Sequence, residues 1–125
     1  MITAQRKEAL VAQINVRDHQ LISGLSKKIG GQDEGLDPHE LLESALAACT
    51  ILTAQLYANR KGYKLDSTDV TIKILSEGEE TIISLQAEFK GDLTIEERTR
   101  LAEIIEKCPI HRLLESNVEI QTTVL

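Results

Sequence analysis

Two residues in this chain of 125 carry a thiol, Cys49 and Cys108. A thiolate is a nucleophile, a metal ligand and a redox centre, so these positions bound the chemistry open to the chain. They lie far apart in sequence and do not form a CxxC redox motif. Cys108 directly precedes Pro109. It is placed at a helix N-terminus, where unpaired N–H groups and the helix dipole favour an anion. Cys49 is surrounded by Ala45, Ala47 and Ala48, small side chains that leave room for a small substrate or a second thiol. Each cysteine can equally be a buried free thiol packing as a small hydrophobe. The residue pattern alone leaves both readings open.

The element that must position Cys49 runs from Asp37 to Gly62. Asp37 is a suitable N-cap, Pro38 suits the first helical position, and Glu40 three residues after the cap can close a capping box. Gly62 supplies a left-handed stop, and Arg60 with Lys61 sets positive charge against the negative end of the dipole. Between Ser44 and Tyr57 no residue is charged, and no polar stripe is wide enough to face water. Such a helix is expected to be buried on nearly every side, and in so small a chain that implies cover from a second subunit. Its length and its Ala, Thr, Ser and Gln content argue against a membrane span.

Upstream, Leu10 to Val16 alternates as a strand, Arg17-Asp18-His19 is a turn, and Gln20 to Ser23 returns. Gly24 to Gly35 is loop-like. After the long helix, Thr68 to Leu75 and Thr81 to Lys90 form a hairpin of half-buried strands. Thr94 and Glu97 form a second capping box and open an amphipathic helix. Its apolar stripe is Ile95, Leu101, Ala102, Ile104 and Ile105. Pro109 stops it and begins a short helix from Ile110 to Ser116, with Cys108 as its N-cap. Val118 to Leu125 alternates as a final strand. The expected class is α+β, an antiparallel or mixed sheet packed on the helices, in a single domain of residues 1–125.

Composition excludes several roles. A net charge of −6 argues against nucleic-acid and anionic-membrane partners. With Phe89, Tyr57 and Tyr63 the only aromatics, base stacking has little to work with. The N-terminal MITAQRKEALVAQ lacks the apolar run of a signal peptide, and a cytoplasmic location is expected. In a reducing compartment two cysteines weigh towards catalysis or metal binding rather than a structural staple.

The run from Ile29 to Thr50, IGGQDEGLDPHELLESALAACT, resembles the GG…G-x-x-P-x-E-L-L-x-x-A-L-x-A-C-T signature of the OsmC/Ohr family. Cys108-Pro109-Ile110-His111 is similar to that family's second-cysteine motif. The resemblance covers nearly the whole chain. It implies an intertwined homodimer in which two long helices are wrapped by sheets from both subunits. It further implies a thiol peroxidase acting on organic hydroperoxides, with Cys49 peroxidatic and Cys108 resolving. Such chemistry passes through a Cys49 sulfenic acid and a Cys49–Cys108 disulfide that a dithiol reductant resets, with no cofactor. An apolar surround would raise the Cys49 pKa, so a positive partner is expected to oppose it.

The better-known members of that family use an Arg from the loop before the long helix, held by a Glu directly after the motif Pro. Here that Glu position is His39, with Glu40 following, and the loop offers Lys27 and Lys28 rather than Arg. Ten residues of helix separate His39 from Cys49, about 15 Å, so His39 cannot touch Cys49 of its own chain. Glu40 reads first as a capping residue, and Glu43 is a further candidate for orienting a cation. Two rival readings stay open. Cys108 and His111, completed by Cys49 or His39, could form a metal site, although the usual paired spacing is missing. Alternatively, the chain is a dimeric binding protein holding a small apolar ligand.

Overall fold

The computed structural model describes residues 1–125. The chain divides into two compact units, Met1–Glu43 and Ser44–Leu125. The first holds a three-stranded antiparallel sheet in the order β1-β2-β3. Its strands are β1 (Thr3–Glu8), β2 (Val11–Val16) and β3 (His19–Ser23). Arg17 and Asp18 join β2 to β3, with Val16 paired to His19 and Arg17 at a φ of 51°. Strand β1 was not expected from the sequence. TAQRKE is exposed throughout and has no apolar alternation, so its backbone ladder to β2 is what makes it a strand.

A 3-10 turn, Lys27–Ile29, follows β3. The loop beyond it folds back on itself: Gly31 N–H donates to Ser26 O at 2.9 Å and Asp33 N–H to Leu25 O at 2.9 Å. A Cβ on Gly31 would run into the Leu25 carbonyl, so only glycine fits there.

Helix α1 (Pro38–Lys61) starts as the sequence requires. The Glu40 N–H donates to Asp37 Oδ1 at 2.9 Å, and the Asp37 N–H donates to Glu40 Oε1 at 3.0 Å. Two otherwise orphaned donors are thereby satisfied. Replacing Asp37 with Ala should lower stability by about 1 kcal/mol, read as a shift of the urea midpoint. The helix ends at Gly62, whose φ of 74° is left-handed, and Tyr63 N–H closes onto Ala58 O at 2.9 Å.

The second unit is built on the rest of α1. A row of Leu46, Thr50, Ala54 and Ala58, each four residues apart, is buried. The small residues of this row allow close approach by the rest of the core, Leu65, Leu101 and Ile105. Thr50 has no exposure, and its hydroxyl donates to Leu46 O at 2.8 Å, within its own helix. Strands β4 (Lys64–Ser76) and β5 (Ile82–Asp92) form the hairpin, with Val70 opposite Ala87 and Ile72 opposite Leu85. Helix α2 (Ile95–Ile105) has its Thr94–Glu97 capping box in place. Arg98 ties α2 to β5 by donating to Phe89 O at 2.6 Å and Gly91 O at 3.2 Å. Helix α3 (Pro109–Leu114) follows, with Cys108 at its N-cap.

The fold class is α+β, with two antiparallel sheets and a central helix. Three expectations need correction. Ile95 is 80% exposed, because the first residue of α2 lies beyond the stripe that Leu101 and Ile105 bury. Residues 117–125 pair with no strand of this chain and are exposed, although their alternation is strand-like. Backbone pairing needs a partner edge, and the pattern cannot supply one. Nor is α1 covered all round. Ala45, Ala48, Leu52 and Leu56 are exposed in the single chain, Leu52 by 67%. By length and composition α1 could cross a membrane; here one of its faces packs in the core of the second unit.

Candidate active site

Both thiols are free, and both belong to the second unit. Helix α2 ends because Pro109 cannot continue it, and Lys107 and Cys108 N–H groups turn back to Ile104 O (2.9 Å) and Ile105 O (3.2 Å). The turn leaves Cys108 with no exposed surface. Arg100 Nε donates to the Tyr57 hydroxyl at 2.9 Å, which ties α2 to α1. Cys108 lies close enough to Cys49 that its side chain helps to lower the Cys49 pKa.

Cys49 is partly buried. That burial pushes its pKa up, but three hydrogen bonds overcome it, from the Cys108 side chain, the Ile110 backbone N–H and the Thr53 side chain. The Thr53 Oγ1 lies 3.8 Å from the Cys49 sulfur. The net result is a thiol pKa below its ordinary value. For Cys108 the direction is opposite. Burial raises its pKa first, then its hydrogen bond to Cys49, while the backbone N–H groups of His111 and Ile110 oppose the rise. The thiolate form is therefore favoured at Cys49 relative to Cys108. A thiol of lowered pKa thus lies near one of raised pKa, an arrangement suited to attack followed by disulfide closure.

The expected positive partner is not among the causes that lower the Cys49 pKa; hydrogen bonds do that work. Sequence reading missed Thr53 and the Ile110 N–H. Thr53 could have been found, since it stands one helical turn after Cys49. The remaining candidates lie in the first unit. Lys27 and Lys28 are exposed on the 3-10 turn, His39 is exposed at the second position of α1, and Glu43 is half-buried. Glu40 is engaged in the Asp37 capping box. No cluster of three or more His, Cys, Asp or Glu side chains able to hold a metal is present, so Cys108 and His111 have no further ligands.

Residues 31–123 match a family model described as OsmC-like protein. The chain is also similar in structure to an OsmC-like protein from Mycoplasma pneumoniae, at 24% identity and a TM-score of 0.74, covering 92% of this chain and 86% of that one. An organic hydroperoxide resistance protein from Elizabethkingia anophelis, with thiocyanate bound, matches at 23% identity and a TM-score of 0.70. That match covers 95% of this chain and 91% of the other. An organic hydroperoxide resistance protein OsmC from Legionella pneumophila matches at 20% and 0.65, covering 95% and 92%. No curated protein matches the sequence. At these identities the likeness to solved structures establishes the fold.

Proposed function

Because the chain belongs to the OsmC-like protein family, we propose that it is a thiol peroxidase that reduces organic hydroperoxides and serves in oxidative stress defence. The observation that carries this reading is the neighbouring pair of thiols in the second unit, with the Cys49 pKa lowered and that of Cys108 raised. The organic hydroperoxide resistance proteins that share the fold support it. The Cys49 thiolate attacks the distal oxygen of the hydroperoxide; the O–O bond breaks, and the alkoxide leaves as alcohol after taking a proton. Cys49 is then a sulfenic acid. Cys108 displaces its oxygen as water and closes the Cys49–Cys108 disulfide, which a dithiol reductant opens by exchange.

The working unit in this reading is a cytoplasmic homodimer, with residues 1–125 acting as one OsmC-like domain. Two unsatisfied features support the dimer: the open apolar face of α1 and the unpaired, strand-like tail from residue 117. A second subunit can cover the first and hydrogen-bond the second. Lys27 and Lys28 are retained as candidates for the cation that helps hold the substrate, with His39 and Glu43 in support. The alternative, a binding protein for a small apolar ligand, has one observation in its favour. A concavity of about 290 Å³ in the first unit is lined by Leu10, Val11, Leu25 and Pro38 among others.

Mass spectrometry of the reduced protein after one equivalent of an alkyl hydroperoxide tests the choice. The peroxidase reading expects loss of two hydrogens and a Cys49–Cys108 peptide cross-link. Unchanged thiols, with a lipid-like molecule retained through purification, would establish the binding protein instead.

A further inference from the structure

A threonine inside a helix commonly turns its hydroxyl back onto the carbonyl one turn before it. Thr50 and Thr99 do so, donating to Leu46 O at 2.8 Å and to Ile95 O at 2.9 Å. Thr53 departs from that habit. The carbonyl one turn back belongs to Cys49, yet the Thr53 hydroxyl bonds to the Cys49 sulfur, with Oγ1 at 3.8 Å. Both side chains are half-buried. The hydroxyl hydrogen rotates about its C–O bond, and either partner can be the donor. While Cys49 is a thiol, its S–H can point at the hydroxyl oxygen. Once the sulfur is ionised only the hydroxyl can donate, and a bond to a charged acceptor is about twice as strong as a neutral one. The contact therefore favours the thiolate. The other groups that act on this sulfur are the Cys108 side chain, its one ionisable neighbour, and the Ile110 N–H; no charged side chain is among them.

We propose that Thr53 is a catalytic residue of the first step, its hydroxyl being the donor that holds the Cys49 sulfur ready for attack in place of a positive side chain. The inference rests on the peroxidase reading above and gives a role to a residue outside its two thiols. The Cys49 S–H proton leaves to solvent, and the Thr53 O–H turns to the sulfur. The sulfur then gives an electron pair to the distal oxygen of the hydroperoxide, the S–O bond forms and the O–O bond breaks. The alkoxide takes a proton from solvent and leaves as alcohol. Sulfur is oxidised, the peroxide is reduced, and Thr53 keeps its own proton throughout. Thr53 differs from the other donors in where it stands. Ile110 and Cys108 belong to the α3 segment, whose thiol must change position to close a disulfide. Thr53 shares the continuous helix α1 with Cys49, one turn away, so its contact does not depend on that movement. Disulfide closure, in which the Cys108 sulfur is the nucleophile, does not call on Thr53.

Two measurements on the reduced protein test the role across a range of pH. One is the rate of Cys49 alkylation by iodoacetamide, located by peptide mapping. The other is the rate of consumption of one equivalent of an alkyl hydroperoxide. Thr53→Val keeps the branched shape and removes the hydroxyl; Thr53→Ser keeps the hydroxyl. In Thr53→Val the midpoint of the alkylation profile should move to higher pH. Hydroperoxide consumption at pH 7 should fall about tenfold, the low end of what one hydrogen bond to a charged group contributes. The rate should return towards wild type at high pH, where the thiolate forms without help; a purely structural loss would slow the variant equally at every pH. Thr53→Ser should keep both the profile and most of the rate. An unchanged alkylation profile in Thr53→Val, uniform slowing at every pH, or an equal loss in Thr53→Ser overturns the proposal while the wild-type protein still consumes hydroperoxide. Failure of the wild-type protein itself to consume hydroperoxide overturns the peroxidase reading, and this role falls with it.

Discussion

Cys49→Ser is expected to reduce hydroperoxide consumption to background, whereas Cys108→Ser should retain a single turnover and stop at a trappable sulfenic acid. The asymmetry follows from where the negative charge sits. Burial alone would keep both thiols protonated, but Cys49 receives hydrogen bonds from Cys108, Ile110 and Thr53. Cys108 is raised by its burial and by the neighbouring sulfur. Of the two, Cys49 is the one whose thiolate form is favoured. Removing it leaves a fully buried thiol of raised pKa that a peroxide cannot reach. In Cys108→Ser the serine hydroxyl can still donate to Cys49, so the first chemical step survives. The missing event is S–S bond formation, for which oxygen is no substitute. The measurement is peroxide consumed per subunit, with the sulfenic adduct located by peptide mapping. Equal, slow consumption by both single variants would mean that neither thiol is activated, and the binding-protein reading would replace the enzyme.

Leu52→Glu should convert a dimer into monomers, which sedimentation velocity at micromolar concentration would detect. In the isolated chain Leu52 is two-thirds exposed, and a polar substitution at such a site ordinarily changes stability by less than about 0.5 kcal/mol. If the α1 face is instead covered by the same face of a second copy, each leucine contributes roughly 1.5–3 kcal/mol of apolar burial. Two-fold symmetry counts it twice, so the loss is roughly 3–6 kcal/mol before the cost of burying a carboxylate. That is on the order of 10² to 10⁴ in the dissociation constant. The two outcomes differ so widely that one variant separates them. A wild-type protein that sediments as a stable, folded monomer would sink the dimer without any mutation.

Features that depend on residues within about four positions of each other were legible in the sequence. The Asp37–Glu40 and Thr94–Glu97 boxes, the left-handed Gly62, and the Pro109 break with Cys108 at the head of α3 all formed as expected. Their partners are neighbours along the chain, so residue type and spacing decide them. The hairpin was legible for a related reason, since period-two alternation fixes which side chains face inward. The motifs around Cys49 and Cys108 carried the family resemblance.

What the sequence left undecided depends on distances across the fold. Strand β1 exists because β2 presents an edge to it, and the 117–125 segment lacks a ladder because no strand of the chain does the same. The uncharged middle of α1 was compatible with burial on every side; packing chose the Leu46–Thr50–Ala54–Ala58 face and left Leu52 and Leu56 open. The sign of each cysteine's pKa shift was equally out of reach. Burial pushes both thiols the same way, and only the fold, which brings Cys108 and Ile110 to Cys49, places the donors that lower one and not the other. Residue identity determined that two thiols were available, and tertiary structure decided in which of them the thiolate form is favoured, because a hydrogen bond between distant segments acts only when the fold brings donor and acceptor into contact.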